Sequence, residues 1–352
     1  MLGLFRKKSS SLLGIDINAT AITVLALSRQ GAGYRVEAFA REPLLPGVVQ
    51  GRQIVDPEAL GMALLRAWSR SGSRLRDSVV AVPGEALISK LIEVPAGLSD
   101  EELENQIALE ASQYIPYALE DVALDFEVQG TVPGNSRRVQ VLLVACRNEQ
   151  VESLEAVLAL AGLRARVVDS EPLALERGLA LTIAKALPQA SLALLDLGAD
   201  ISTFSVMRGQ RVIYGREQLF GSRQLMEALG RHHGLTLDEA LLAQRKGCLP
   251  QGCNEDVLQP FGLQVQEQVV LALQQFFASA QQQQPLDLLL LAGTASALDG
   301  LARAVEQCSG VAAAIADPVR NMSVSHRLDS QQLADQAPGL LLACGLALRG
   351  LY

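Results

Sequence analysis

Aromatic residues are scarce in this chain of 352 residues: they make up 4%, with a single Trp. Its interior must therefore be filled mainly by Leu, Val, Ile and Ala. Cysteine is sparse and odd in number: Cys146, Cys248, Cys253, Cys308 and Cys344 are scattered along the chain. That excludes a disulfide framework and predicts reduced thiols in a cytoplasmic protein. No apolar run approaches the ~18–20 residues that span a bilayer, and the apolar start before Arg6-Lys7-Lys8 is too short for a signal peptide. This basic cluster reads as a frayed terminus in preference to a contact with anionic lipid. Positive charge is also lacking: 30 Lys and Arg against 38 Asp and Glu give −8, which argues against nucleic acid as a partner.

What is present is apolar bulk, 49% of the residues, enough to exclude disorder. A single core stops growing near ~250–300 residues, so the length predicts two halves. Strands are expected at 12–17, 21–27 and 34–40, then a helix capped by Asp56 with Pro57 in its first turn, then a strand at 79–82. From about 85 to 138 the pattern changes to a strand at 88–94, a helix begun by a Ser99/Glu102 capping box, and a half-wet strand around Leu124, Phe126 and Val128. Further strands are predicted at 139–145 and 165–168, with helices from 148 and over 171–186. In the second half, strands are expected at 192–197, 201–207, 211–214 and 286–291. The helices there are read at 222–232, 236–245, 256–284 (the Gln281–Gln284 run as its solvated end), 296–307 and 338–349. Alternating strands and helices indicate an α/β protein.

The most informative feature is a repeat. Leu13-Gly14-Ile15-Asp16-Ile17-Asn18-Ala19-Thr20 is echoed by Ala193-Leu194-Leu195-Asp196-Leu197-Gly198-Ala199-Asp200, with the two Asp residues 180 positions apart. Each copy is an apolar strand ending in Asp, a tight turn and a second strand. Turns of small residues direct backbone N–H groups at anions, and Asp at a strand end suits Mg²⁺. Two such hairpins across a cleft would clamp a β,γ-phosphate unit. A third element, Ala292-Gly293-Thr294-Ala295-Ser296, follows a strand and is read as a glycine turn leading into a helix. Gly221-Ser222 before a helix is another place for close approach, whereas Gly345 reads as helix packing.

With these elements in order, the chain resembles the actin-like ATPase superfamily, and within it the FtsA-like PilM family of type IV pilus assembly. The finer likeness lies in Ile115-Pro116-Tyr117, Asp125-Phe126-Glu127-Val128, Ala161-Gly162-Leu163, Arg216–Gly221 and Cys344–Arg349, and it covers about 12 to 352. The resemblance implies duplicated ribonuclease H-like lobes with an FtsA-type insert. Subdomain 1A would comprise 1–84 and 139–190, 1C 85–138, 2A 191–215 and 286–352, and 2B 216–285. It implies ATP and Mg²⁺ as cofactors. Asp16, Asn18, Ala19 and Thr20 would form the first phosphate loop, and Asp196, Gly198, Ser202 and Thr203 the second. Gly221, Ser222, Gly293, Thr294 and Ala295 would complete the site, with Asp16 and Asp196 on the metal. The implied partner is the N-terminal cytoplasmic segment of PilN, with indirect links to PilO, PilP and the pilus motor ATPases, and a place beside the inner membrane held through these proteins. Thr23 stands where the family suggests Lys, Ala292-Gly293 where Gly-Gly is usual, and Ser222 where another Gly is common. Modest Mg²⁺-dependent ATP affinity is expected.

The same chain admits competing chemistries. Glu171 is the best positional candidate for a general base, although an acid in the first turn of a helix has a plainer role. An actin-like small-molecule kinase would need a substrate pocket of which the sequence gives no sign. An FtsA-like filament protein would carry an amphipathic C-terminal helix, and here the chain stops at Leu351-Tyr352. His232-His233 with Cys248 and Cys253 lacks zinc-ligand spacing. For the partner groove, Ile107, Ala111, Tyr114, Ile115 and Phe126 offer apolar and aromatic surface to an extended peptide, while most read equally well as the insert's own core.

Overall fold

A computed structural model describes residues 11–182, 190–209, 211–246, 248–279 and 285–351. The Arg6–Lys8 cluster, the end of the 171–186 helix beyond 182, the Gln281–Gln284 run and residue 352 lie outside the described residues. The chain begins with β1 (Leu13–Ile17), β2 (Ala21–Gln30) and β3 (Gly33–Pro43), then a small hairpin of β4 (Val49–Gln50) and β5 (Gln53–Ile54). Helix α1 (Pro57–Ser71) starts where expected, the Asp56 carboxylate accepting from the Ala59 N–H at 2.9 Å, and β6 (Asp77–Val82) follows.

The insert is built from β7 (Ile88–Pro95), α2 (Asp100–Ala111), β8 (Val122–Val132) and β9 (Asn135–Arg147). Both halves of the Ser99/Glu102 capping box form. The strand predicted at 139–145 proves to be part of β9, which pairs with β7 and β8 in a separate three-stranded sheet. This sheet therefore runs on to Arg147, past the boundary read at 138; alternation marks a strand but not the sheet it joins. The chain returns through α3 (Asn148–Leu160), β10 (Arg164–Ser170) and α4, described over Glu171–Thr182.

The second half comprises β11 (Ser191–Asp196), β12 (Ser202–Arg208), β13 (Arg211–Gln218), α5 (Arg223–His233), α6 (Leu237–Lys246), α7 (Gln259–Ala278), β14 (Leu288–Ala292), α8 (Leu301–Ser309) and β15 (Ala313–Ile315). Strand β13 continues through the expected 215/216 boundary to Gln218. The helix predicted at 296–307 is split. A 3₁₀ turn at Thr294–Ala297 precedes α8, and Gly300, at φ +80°, separates them.

The two main sheets share one plan. In the first, β3-β2-β1-β6-β10 run antiparallel, antiparallel, parallel and parallel to their neighbours; in the second, β13-β12-β11-β14-β15 do the same. The sequence repeat is thus a repeat of topology. The end of the chain departs from the assignment of 286–352 to the second lobe. Strand β16 (Ser323–Val324) pairs with β3, and after α9 (Ser330–Gln336) comes α10 (Leu341–Leu348). Being almost wholly apolar, α10 needs cover on every side. Ala343, Cys344 and Ala347 join Leu25, Leu27 and Val36 of the first sheet in one core, and Leu341 joins Leu179, Leu194 and Leu290 in another. No helix among the described residues is long and apolar enough to cross a membrane.

Candidate functional site

Because the sheets are duplicated, the corresponding strand ends face one another. Asp16 pairs in register with Thr23 across the β1–β2 hairpin, and Asp196 with Thr203 across β11–β12. Both Asp residues line one cleft, together with Asn18, Ala19, Thr20, Glu171, Gly198, Thr203, Ser222, Gly293 and Thr294. The fold thus brings together most of the predicted nucleotide residues.

Three of them lie elsewhere. Ser202 is buried and donates its hydroxyl hydrogen to the Phe220 carbonyl at 2.7 Å. Ala295 belongs to the second lobe's apolar core. Gly221 sits against the second hairpin, where a Cβ would meet the Ala199 carbonyl oxygen at 2.1 Å, so its small size serves packing. The first turn is also more self-contained than expected. Asn18 Oδ1 accepts from the Thr20 N–H at 3.1 Å, the Thr20 hydroxyl at 3.0 Å and the Ala21 N–H at 3.0 Å, so these donors close the turn. The third wall does come close: Gly293, at φ +88°, holds a position where a Cβ would strike the Leu197 carbonyl oxygen at 2.2 Å.

The electrostatics favour a cation. Asp16 is buried, and among the described residues no donor hydrogen-bonds to its carboxylate or to that of Asp196. Burial, reinforced by the charges of Glu171 and Asp196, pushes the Asp16 carboxyl up to about 7. Burial and Glu171 push Asp196 up to about 6. Two carboxylates without hydrogen-bond donors at facing strand ends, only partly offset by the charges of Arg41 and Arg52, are oxygen donors of the kind a hard divalent ion takes while keeping part of its water. The residues present therefore fit a Mg²⁺-nucleotide.

Glu171, the candidate base, is held by an ion pair with Arg52. Arg41 and Arg52, both of which line the cleft, escaped the sequence reading. They come from β3 and from the β4–β5 turn and belong to no local motif; only the turn-forming Gln50-Gly51 before Arg52 could have drawn attention to it. For zinc, no group of three or more potential metal ligands occurs among the described residues, and Cys253 is packed in the second lobe's core.

A second concavity lies between the insert and the first lobe. Strand β8 is an edge of the three-stranded sheet and β10 an edge of the first main sheet. Both line the groove, with Leu124 and Phe126 from one side and Val168 from the other, and with Leu142, Val144 and Leu173 also exposed to it. Of the predicted groove residues only Phe126 reaches the groove, and it packs against the insert's core as well. Ile107, Ala111 and Ile115 form the insert's core, because α2 must bury its apolar stripe against its own sheet. Tyr114 is exposed and lies under the Lys90 ammonium, 5.2 Å from the ring centre.

Comparison with known proteins follows this geometry. Residues 14–351 match the family model for the type IV pilus assembly protein PilM. Among solved structures, a chain of a PilM-PilN type IV pilus biogenesis complex is similar, with TM-score 0.75 and 28% identity over 98% of this chain and 99% of that one. The ethanolamine utilization protein EutJ from Carboxydothermus hydrogenoformans is similar in fold alone, with TM-score 0.53 and 13% identity over 96% and 89% of the two chains. Both have the actin-like ATPase fold, as does this chain.

Proposed function

The chain belongs to the PilM family of type IV pilus assembly proteins, and from that membership we propose that it is a nucleotide-binding cytoplasmic scaffold of the inner-membrane pilus platform. Its partner in this reading is the N-terminal cytoplasmic segment of PilN, which lies extended in the groove between β8 and β10. The observation that carries the proposal is that groove: two sheet edges line one concavity whose walls mix apolar side chains such as Leu142 and Val144 with charged ones such as Asp125, Glu127 and Arg177. An extended peptide adds to such an edge through main-chain hydrogen bonds and sinks alternate side chains between the walls. The likeness to a chain solved with PilN supports the choice of partner. Through PilN the scaffold reaches PilO and PilP and communicates with the pilus motor ATPases, and it needs no membrane segment of its own.

The cleft, in the same reading, holds ATP with Mg²⁺. Asp16 and Asp196 hold the ion, and Gly293, Thr294 and Gly339 line the far wall. The metal supplies charge neutralisation of the phosphates. Glu171 is committed to Arg52, so it is a poor base, and hydrolysis is slow or absent. Titrating the full-length chain with a synthetic PilN N-terminal peptide tests the scaffold reading: saturable binding that leaves Mg-ATP binding intact is expected, and no binding at high micromolar peptide would refute it.

A further inference from the structure

The residues lining the cleft carry more acid than base: Asp16, Asp196, Asp200 and Glu171 against Arg41 and Arg52. A polyphosphate brings several more negative charges, so the placing of those two cations matters. Asp200 is neutralised by Arg223, whose Nη2 donates at 2.7 Å. Arg41 pairs at 3.2 Å with Asp238, which is half exposed at the rim. That pair also crosses between the lobes, but at an exposed carboxylate, whereas Arg52 crosses at Thr203, beside the strand end that carries Asp196.

Arg52 stands at the tip of the β4–β5 hairpin, after Gly51 at φ +58°. The hairpin tip lies at the cleft, which Gly51 and Arg52 line together with Asp200 of the second lobe. The Arg52 guanidinium pairs with Glu171, donates to Thr203 Oγ1 at 3.3 Å and stands 3.8 Å from Glu217. Thr203 is the register partner of Asp196. These contacts are unequal. Arg52 and Glu171 are 18% and 13% exposed, whereas Glu217 is 34% exposed and beyond hydrogen-bond distance. A guanidinium has five donors in a fixed fork, so it can keep Glu171 and still turn its remaining N–H groups to another anion. The weak hold of Glu217 is the one most easily exchanged. Its contact with Thr203, the register partner of Asp196, and the pull of its charge on both Asp16 and Asp196 put the guanidinium at the metal end of the cleft.

We propose that Arg52 is the cation this chain sets against the terminal phosphate of a bound nucleotide, with Glu217 as the competitor it gives up. The inference rests on the nucleotide reading above and adds a residue that discriminates triphosphate from diphosphate. A lobe-spanning Arg on a hairpin tip would also tie phosphate binding to the relative position of the lobes.

Calorimetric titration of the full chain with Mg-ATP and Mg-ADP tests this on the unaltered protein, Arg52→Gln, Arg52→Lys and Glu217→Gln, with thermal unfolding recorded for each. Arg52→Gln should weaken ATP about tenfold and ADP less than about threefold, with Arg52→Lys recovering part of the loss. Glu217→Gln should tighten ATP about two- to fivefold, since it removes a competitor. Equal losses for ATP and ADP, or none, in Arg52→Gln would overturn the proposal while leaving the nucleotide reading in place. So would unchanged or weaker ATP binding in Glu217→Gln, which decides alone if Arg52→Gln does not fold. If the unaltered protein binds neither nucleotide at millimolar concentration, the nucleotide reading falls and takes the proposal with it.

Discussion

Replacing Gly345 with Ala tests how tightly the two lobes are built around their shared helices. Gly345 lies in α10 where it crosses α4, and an added Cβ would stand 1.8 Å from the Ala174 carbonyl oxygen, 2.7 Å from its carbon and 3.0 Å from the Gly178 nitrogen. All three are backbone atoms, so no flexible side chain can swing aside. Gly178 meets Leu341 in the same way, its own Cβ position lying 2.2 Å from that carbonyl oxygen. The helices must part by about 1.5 Å to reach ordinary contact, against a core containing Leu179, Leu290 and Leu341. Overpacking of this kind typically costs about 1–3 kcal/mol, and rigid backbone on both sides puts this site at about 3. In a chain of this size that lowers the unfolding midpoint by roughly 4 °C. Because α4 carries Glu171 and the turn before α10 carries Gly339, both cleft walls move, and Mg-ATP affinity should fall as well. The double variant Gly178→Ala/Gly345→Ala should lose less than the sum of its parts, since the second methyl enters helices already separated. Thermal and urea unfolding followed by circular dichroism measure both effects. A Gly345→Ala protein within 1 °C of the parent midpoint would show that backbone contact does not set this crossing.

Asp16→Asn should stabilise the protein at pH 8 and abolish Mg²⁺-dependent ATP binding. A carboxyl held at about 7 in place of 3.8 costs up to roughly 4 kcal/mol when ionised. Below pH 4 folded and unfolded chains both keep the proton, between about 4 and 7 only the folded one does, and so stability should fall through that window by up to ~1.4 kcal/mol per pH unit and then level off. The variant should flatten this slope, and an unchanged profile would refute the assignment. Phe126→Ala should weaken PilN peptide binding about tenfold or more, as expected for an aromatic in the groove, and should lower stability less than the loss of a fully buried core residue, because the ring also packs against the insert's core. Ile107→Ala, in the insert's core, should lower stability by ~2–5 kcal/mol yet leave the folded fraction's peptide affinity alone; reversal of these two outcomes in binding assays and melts would return the groove to α2. Asp56→Ala should cost ~1 kcal/mol through loss of the bond to the Ala59 N–H, measurable by urea unfolding, and a neutral effect would contradict the cap.

How much of this was legible in the sequence depends on the range over which each feature is encoded. Asp16 and Asp196 could be found because a strand-ending Asp and its turn fall within eight consecutive residues with the returning strand directly after them, and duplication wrote the pattern twice. The Asp56 cap and the Ser99/Glu102 box are local for the same reason. Gly300 could have been read as well: Asp-Gly inside a helical pattern is a turn signal, and it separates the 3₁₀ turn from α8. What stayed hidden was set by partners far along the chain. Alternation along β9 is the same whether it joins the insert's sheet or the first lobe's, so only pairing with β7 and β8 could decide. Ile107 and Phe126 both pack in the core of one small subdomain, and sequence cannot say that only the second, on the edge strand β8, also lines the groove. Arg52 is the sharpest case. Its partners Glu171, Thr203 and Glu217 lie more than a hundred residues away on another helix and another sheet. An arginine in a polar turn shows nothing of that by itself. The duplicated hairpins that were legible supply the acid of the cleft, and its base comes from single residues delivered by the tertiary fold. The two acids of the repeat thus meet cations that only tertiary contact delivers.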